Sequence, residues 1–313
     1  MHRRLSPLTA LAATAVAALA GWIAPATAHA GKYDLDLTRL GSQQGGTLVQ
    51  DDSGFRSLSS ELGTLMAPRP VDSADSLGLA GFAISADVGI NTIAGSRDYW
   101  SRTTRGGADD VAPTLQVMGR KGLWPGIEVG GGATHLFDSR MWAISGYGKI
   151  SLHEGFYRLP IPSIALRVAG SRVLGAKDLN MSTIAPSVSA SYVFGIGKTF
   201  SLTPYLGYEA LIIVSRSTVL DASPNCDELP DGYNQDCPGV DPTADNEFVF
   251  QDAGAILRHR PYFGLRMLFA VMRLTVEAMY APAGKRGGEL DGTTIADRSK
   301  LQQQYTISVG LDF

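Results

Sequence analysis

Tyr305-Thr306-Ile307-Ser308-Val309-Gly310-Leu311-Asp312-Phe313 closes the chain on a strict alternation. Tyr305, Ile307, Val309, Leu311 and Phe313 make one set; Thr306, Ser308, Gly310 and Asp312 make the other. Successive side chains of a strand point to opposite faces, so this is a strand with one apolar and one small, polar face. Further upstream, Trp142, Ile144 and Ile150 alternate with Ala143, Ser145, Tyr147 and Lys149, and Ile164, Leu166 and Val168 with Ala165, Arg167, Ala169 and Ser171. Ten such segments are predicted, at 79–91, 112–121, 126–137, 139–152, 161–172, 182–195, 199–214, 259–270, 273–281 and 302–313. A soluble sandwich with one wet face shows the same alternation.

The connections separate the two readings. Gly122–Gly126, His153–Pro160, Gly195–Lys198 and Ala270–Met272 are short, whereas most of the others are long, the longest being 215–258. Short turns at one end, long loops at the other and an even strand count describe a transmembrane barrel, whose strands need about 9–11 residues each. Trp124, Phe156, Tyr157, Phe194, Phe200, Phe269 and Phe313 fall near the short turns, and Tyr99, Trp100, Phe137, Trp142, Tyr262 and Tyr280 near the opposite ends, as two aromatic girdles would. The fold expected is therefore all-β: a transmembrane antiparallel β-barrel of ten strands over 77–313, with eight or twelve as the neighbouring counts.

Composition narrows the function. Charged residues make up 18% of the 313, and 27 Lys and Arg face 30 Asp and Glu with no basic run, so nothing marks a nucleic-acid partner. His2, Arg3 and Arg4, the apolar run Leu8–Ile23 and Ala28-His29-Ala30 read as a signal peptide over 1–30, a membrane-anchoring helix being the alternative. Residues 31–76 form a polar leader in which Phe55, Leu58, Leu62 and Leu65 recur at helical spacing before Pro68 and Pro70. Such a helix would plug the periplasmic mouth or dock on a periplasmic partner; a disordered tether is the other reading.

The signal peptide, the ten alternating segments and the terminal strand ending on Phe resemble Gram-negative outer-membrane β-barrel proteins. The resemblance implies an outer-membrane location with both termini periplasmic, contact with membrane lipid, and delivery by the barrel-assembly machinery reading Tyr305, Ile307, Val309, Leu311 and Phe313. It points to no subfamily and no substrate.

In a barrel the polar parity faces the lumen. It carries Asp87, Arg120, Glu128, Lys149, Arg167, Glu209, Arg266, Arg273, Glu277 and Asp312, five bases against five acids. Like-charged rings would suit an ion pathway; the balance suits a braced, filled lumen, with Arg266 facing Glu277 and Arg273 near Asp312. The role expected is structural or small-solute transport, without enzymatic activity, cofactor or metal. A large outer loop also suits adhesion or complex formation with a surface protein. Among His135, His153 and His259, the first and last lie near the outer rim, with Asp138 beside His135, which leaves a rim hydrolase as the weaker rival. Gly130-Gly131-Gly132 lies within a strand, where Gly permits bends or close packing.

Residues 217–257 hold Asp221, Asp227, Glu228, Asp231, Asp236, Asp241, Asp245, Glu247 and Asp252 without Lys or Arg before Arg258. A solvated loop, a calcium site and a basic partner are the readings for these acids; the spacing matches no twelve-residue calcium loop. Cys226 and Cys237 are expected to form a disulfide in an oxidising compartment. Thiol titration of the unfolded chain should then find none before reduction and two after it; two before reduction would refute the bond.

Overall fold

Strands that present apolar groups to lipid must have every backbone polar group paired, which an open sheet edge does not allow. The computed structural model describes residues 31–44, 47–104, 106–153, 161–197, 199–221, 247–250, 256–284, 289–290 and 293–313, and in it the sheet closes. The ten strands are β1 (Phe82–Thr92), β2 (Val111–Trp124), β3 (Ile127–Leu136), β4 (Trp142–His153), β5 (Ser163–Leu174), β6 (Leu179–Ser191), β7 (Phe200–Ser217), β8 (Ile256–Phe269), β9 (Met272–Ala281) and β10 (Gln302–Asp312). Each pairs antiparallel with its sequence neighbours, and β10 returns to β1 from Gln304↔Asn91 to Asp312↔Ala83. The fold is a closed, ten-stranded, up-and-down barrel.

The wall is apolar outside and polar inside. On β10, Ile307 and Val309 are each 58% exposed, while Thr306 and Ser308 between them are 3% and 0% exposed. The same inversion runs through β1, where Phe82, Ile84, Val88 and Ile90 face out and Ser85, Asp87 and Asn91 face in. Trp124, Phe194, Phe269 and Phe313 stand exposed at the mouth with the short turns, as the girdle reading expects. Tyr99, Trp100 and Tyr262 do not: all three are buried, the first two because they bond to the inserted segment, the third because its parity points inward. Phe156 and Tyr157 lie outside the described residues. Inward tyrosines lie over glycines directly across the ladder, Tyr147 on Gly130, Tyr262 on Gly207 and Tyr205 on Gly264, where a Cβ would strike the ring. Close packing thus accounts for Gly130.

The leader is built into the barrel. Tyr33 N–H donates to the Asp138 carbonyl, its hydroxyl to Val111, and Asp36 N–H to Thr103, all at the mouth with the long connections. A short hairpin (Gly41–Gln44 with Thr47–Gln50) leads to helix α1 (Asp52–Met66), capped by Asp51, whose Oδ1 accepts from Gly54 N–H. Phe55, Leu58, Leu62 and Leu65 are all buried, at 2% exposure or less, confirming the helical spacing. Phe250 stacks on Phe55 at 4.6 Å, and Glu247–Phe248 pair with Leu220–Asp221 outside the barrel sheet. After Pro68 the chain runs down the lumen without helix or strand, reaches the short-turn mouth near Leu77 and turns up into β1.

The helix occupies the long-connection end of the lumen, because its buried Glu61 bonds to groups of those connections, so it does not plug the short-turn mouth. Gly31 lies by the mouth with the long connections and Phe313 by the mouth with the short turns, since the segment between Gly31 and β1 crosses the lumen once. At the crossing's exit, a Cβ on Gly122 would stand 1.9 Å from the Gly78 carbonyl oxygen, a backbone atom. Gly122→Ala should lower the unfolding free energy by roughly 1–3 kcal/mol, as overpacking does; an unchanged urea midpoint would contradict the contact.

Candidate functional site

An irregular segment inside a lumen has no ladder to join, and its buried N–H and C=O groups must still be paired. The wall supplies the partners from its inward parity. Gln116 on β2 accepts from Arg69 N–H at 3.0 Å and donates to the Arg69 carbonyl at 3.3 Å. Glu277 on β9 accepts from Val71 N–H (3.0 Å), Ser191 on β6 from Ala74 N–H (3.1 Å) and Glu128 on β3 from Leu77 N–H (3.1 Å). Ser151 on β4 donates to the Ala74 carbonyl at 2.7 Å, and Lys149 to that of Asp75 at 2.8 Å.

Asp72 is the electrostatic centre. Its carboxylate lies 3.0 Å from Arg120, 3.0 Å from Lys149, 3.1 Å from Arg266 and 3.8 Å from Arg273. These cations come from β2, β4, β8 and β9, so one side chain of the inserted segment ties four wall strands together. A buried charge is tolerated only when paired and hydrogen-bonded. Neighbouring acids share the load: Glu128 contacts Lys149 at 3.2 Å and accepts from Tyr147, and Arg273 reaches Asp312 at 3.5 Å as expected. A cavity bordered by Pro70, Asp72, Tyr147, Lys149, Arg167 and Tyr262 measures about 10 Å³, room for about one water.

Nearer the long connections, Glu61 of α1 is fully buried and accepts four donors: Trp100 Nε1 (2.7 Å), Tyr99 hydroxyl (2.9 Å), Ala94 N–H (3.0 Å) and Lys300 N–H (3.0 Å). Burial and the adjacent Glu61 push the Tyr99 phenol above its ordinary pKa, which keeps it a donor. Between the two centres, Arg260 bonds to Glu209, to the Thr64 carbonyl at 3.1 Å and to the Pro68 carbonyl at 3.2 Å, and Arg167 lies 3.5 Å from Glu209.

All ten charges predicted for the lumen point inward. Asp87 accepts from Gln116 at 3.0 Å, and the other nine take part in the contacts above. One pairing is corrected: Arg266 does not face Glu277. The β8–β9 turn sets Phe269 opposite Met272, which brings Glu277 opposite Gly264 and Arg266 opposite Thr275. Arg266 therefore serves Asp72 and Ser73, and Glu277 serves Val71 and Tyr205. Arg258 and Arg260, both buried, escaped the sequence reading, as did Glu61, Arg69 and Asp72 of the leader. The two arginines share the parity of Arg266, whereas no pattern in the leader marks its charges as lumenal.

The rim histidines are not brought together. His135 on β3 contacts the Met141 carbonyl through Nδ1 at 3.1 Å and stacks on Trp142, without bonding to Asp138; His259 on β8 meets the Tyr208 hydroxyl. His153 ends β4, toward the other mouth. Cys226 and Cys237 lie outside the described residues, as do all the acids of 217–257 except Asp221 and Glu247, which pair across a two-residue ladder.

A closed antiparallel barrel with ten strands, lipid-type apolar groups outside and buried charges inside settles the architecture. The chain is a β-barrel of the outer-membrane kind. No family model and no curated protein matches its sequence. Solved structures similar to it include the outer membrane protease OmpT from Escherichia coli (9% identity, 77% of this chain and 99% of that one, TM-score 0.31). The outer membrane enzyme PagL shows 9% identity over 73% and 97% of the two chains, with a TM-score of 0.29. Ail, the attachment invasion locus protein of Yersinia pestis, shows 11% over 75% and 99%, with a TM-score of 0.26. A protease, another enzyme and an attachment protein at this distance bring no activity to this chain.

Removing the Asp72 charge would leave four cations crowded in the lumen. Asp72→Asn should cost about 3–5 kcal/mol, the range for breaking a buried ion pair. The readout is the urea midpoint of the heat-sensitive gel-mobility shift; a midpoint equal to wild type would contradict the cluster.

Proposed function

We propose that this protein is a structural barrel of the bacterial outer membrane, without enzymatic activity, whose lumen is sealed by its own residues 52–77. The observation that supports it most is the Asp72 cluster. A solute pathway needs groups that bind weakly enough to release an ion or solute, whereas Arg120, Lys149, Arg266 and Arg273 are already engaged with Asp72. Arg260 and Glu277 are likewise held, by the backbone of the inserted segment. The transport reading would require that whole set of bonds to open.

On this reading the working surface is the mouth with the long connections, assembled from residues 31–40, α2 (Asp98–Thr103) and the described parts of the β7–β8 connection, 218–221 and 247–250. It faces the cell exterior and offers itself to a surface partner, while the short-turn mouth and Phe313 face the periplasm.

Two measurements test the two halves. Refolded wild-type protein, verified by its gel shift, should give no discrete steps in a planar bilayer; steps would overturn the sealed reading. In intact cells, a membrane-impermeant maleimide should label Arg39→Cys, and should label Val271→Cys only after the envelope is opened. The reverse pattern would invert the orientation.

A further inference from the structure

Arginines on the outward parity of a membrane strand are costly at mid-depth and tolerated near the interface, so their position carries information. Arg172 on β5 and Arg216 on β7 are exposed and flank β6, where Arg172 lies opposite Ser182 and Arg216 opposite Asn180. The Arg172 guanidinium crosses β6, donating to Ser182 Oγ at 3.0 Å and to Asn180 Oδ1 at 2.9 Å, which carries it toward Arg216. Among the described residues, neither arginine has a carboxylate within 4 Å.

The depth of this group is fixed by its neighbours. Trp142, 47% exposed, lies opposite Leu174, two residues beyond Arg172, and a tryptophan there marks the water interface. On the other side the wall turns apolar at once, with Val168, Ile184, Val188 and Val214 exposed. A ligand filling this surface has a compact anion at one end and hydrocarbon at the other.

We propose that Arg172, Arg216, Asn180 and Ser182 form a site for the phosphomonoester headgroup of a membrane lipid, with its acyl chains lying on Val168, Ile184 and Val214. A phosphate dianion offers several acceptor oxygens at the spacing of guanidinium forks, and charge-assisted bonds at a half-dehydrated rim are stronger than in bulk water. Ser182 and the Asn180 amide add donors that a carboxylate, with fewer oxygens, would leave unused.

The site rests on the barrel spanning a bilayer, which flotation of the refolded protein with phosphatidylcholine vesicles tests separately. The headgroup itself is tested by native mass spectrometry of the full chain from dodecyl maltoside, with phosphatidic acid, diacylglycerol of the same chains, or inorganic phosphate added. Phosphatidic acid should be retained at least tenfold more tightly than diacylglycerol, and equimolar inorganic phosphate should not displace it. Arg216→Gln, whose arginine has no hydrogen bond to lose among the described residues, should weaken retention at least tenfold with an unchanged gel shift, and so should Arg172→Gln. Equal retention of the two lipids, or of phosphatidic acid by wild type and both variants, would overturn the site. Displacement by inorganic phosphate would make it a free-phosphate site and overturn the lipid assignment.

Discussion

A peptide segment buried without a strand partner imposes the constraint on which this barrel depends. Residues 67–77 cross the lumen with their backbone groups out of water, and each buried N–H or C=O left unpaired would cost about 1–3 kcal/mol. The wall answers with Gln116, Glu128, Ser151, Ser191 and Glu277 at the positions where those groups arrive. Inward polarity, which in a wide barrel would line a water channel, here substitutes for the missing ladder.

The charges follow the same logic. Asp72 is buried away from bulk solvent and four cations converge on it; Glu128 and Asp312 nearby offset part of their excess charge. The long-connection end does the equivalent with neutral donors, four of them on Glu61. The segment is thus held at both ends by polar contacts and between them by the apolar face of α1, where burying each Leu contributes about 1.5–3 kcal/mol. Gly63 allows that face to approach Ile213 on β7, since a Cβ there would meet its side chain at 2.7 Å.

The wall was legible in the sequence because a membrane barrel is written in a period of two: all ten strands stand where alternation placed them, with boundaries moved by at most four residues. Arg260 was legible by the same rule, sharing the parity of Arg266. The pairing of Arg266 with Glu277 failed by two residues, since the register of a hairpin depends on where its tight turn is centred. Leader placement was not legible at all. Phe55, Leu58, Leu62 and Leu65 announce a helix, but the same apolar face would suit a periplasmic partner. Only the three-dimensional meeting of Glu61 and Asp72 with donors scattered from Ala94 to Lys300 shows that the face is covered by the barrel interior.

The claim that the leader fills the lumen is tested most directly by amide hydrogen exchange over residues 69–77 of the folded protein in detergent. Arg69, Val71, Ala74 and Leu77 donate to buried wall side chains. Their amides should exchange as slowly as those of the neighbouring strands. Exchange at the rate of an unstructured peptide, in a barrel whose strands remain protected, would contradict the account.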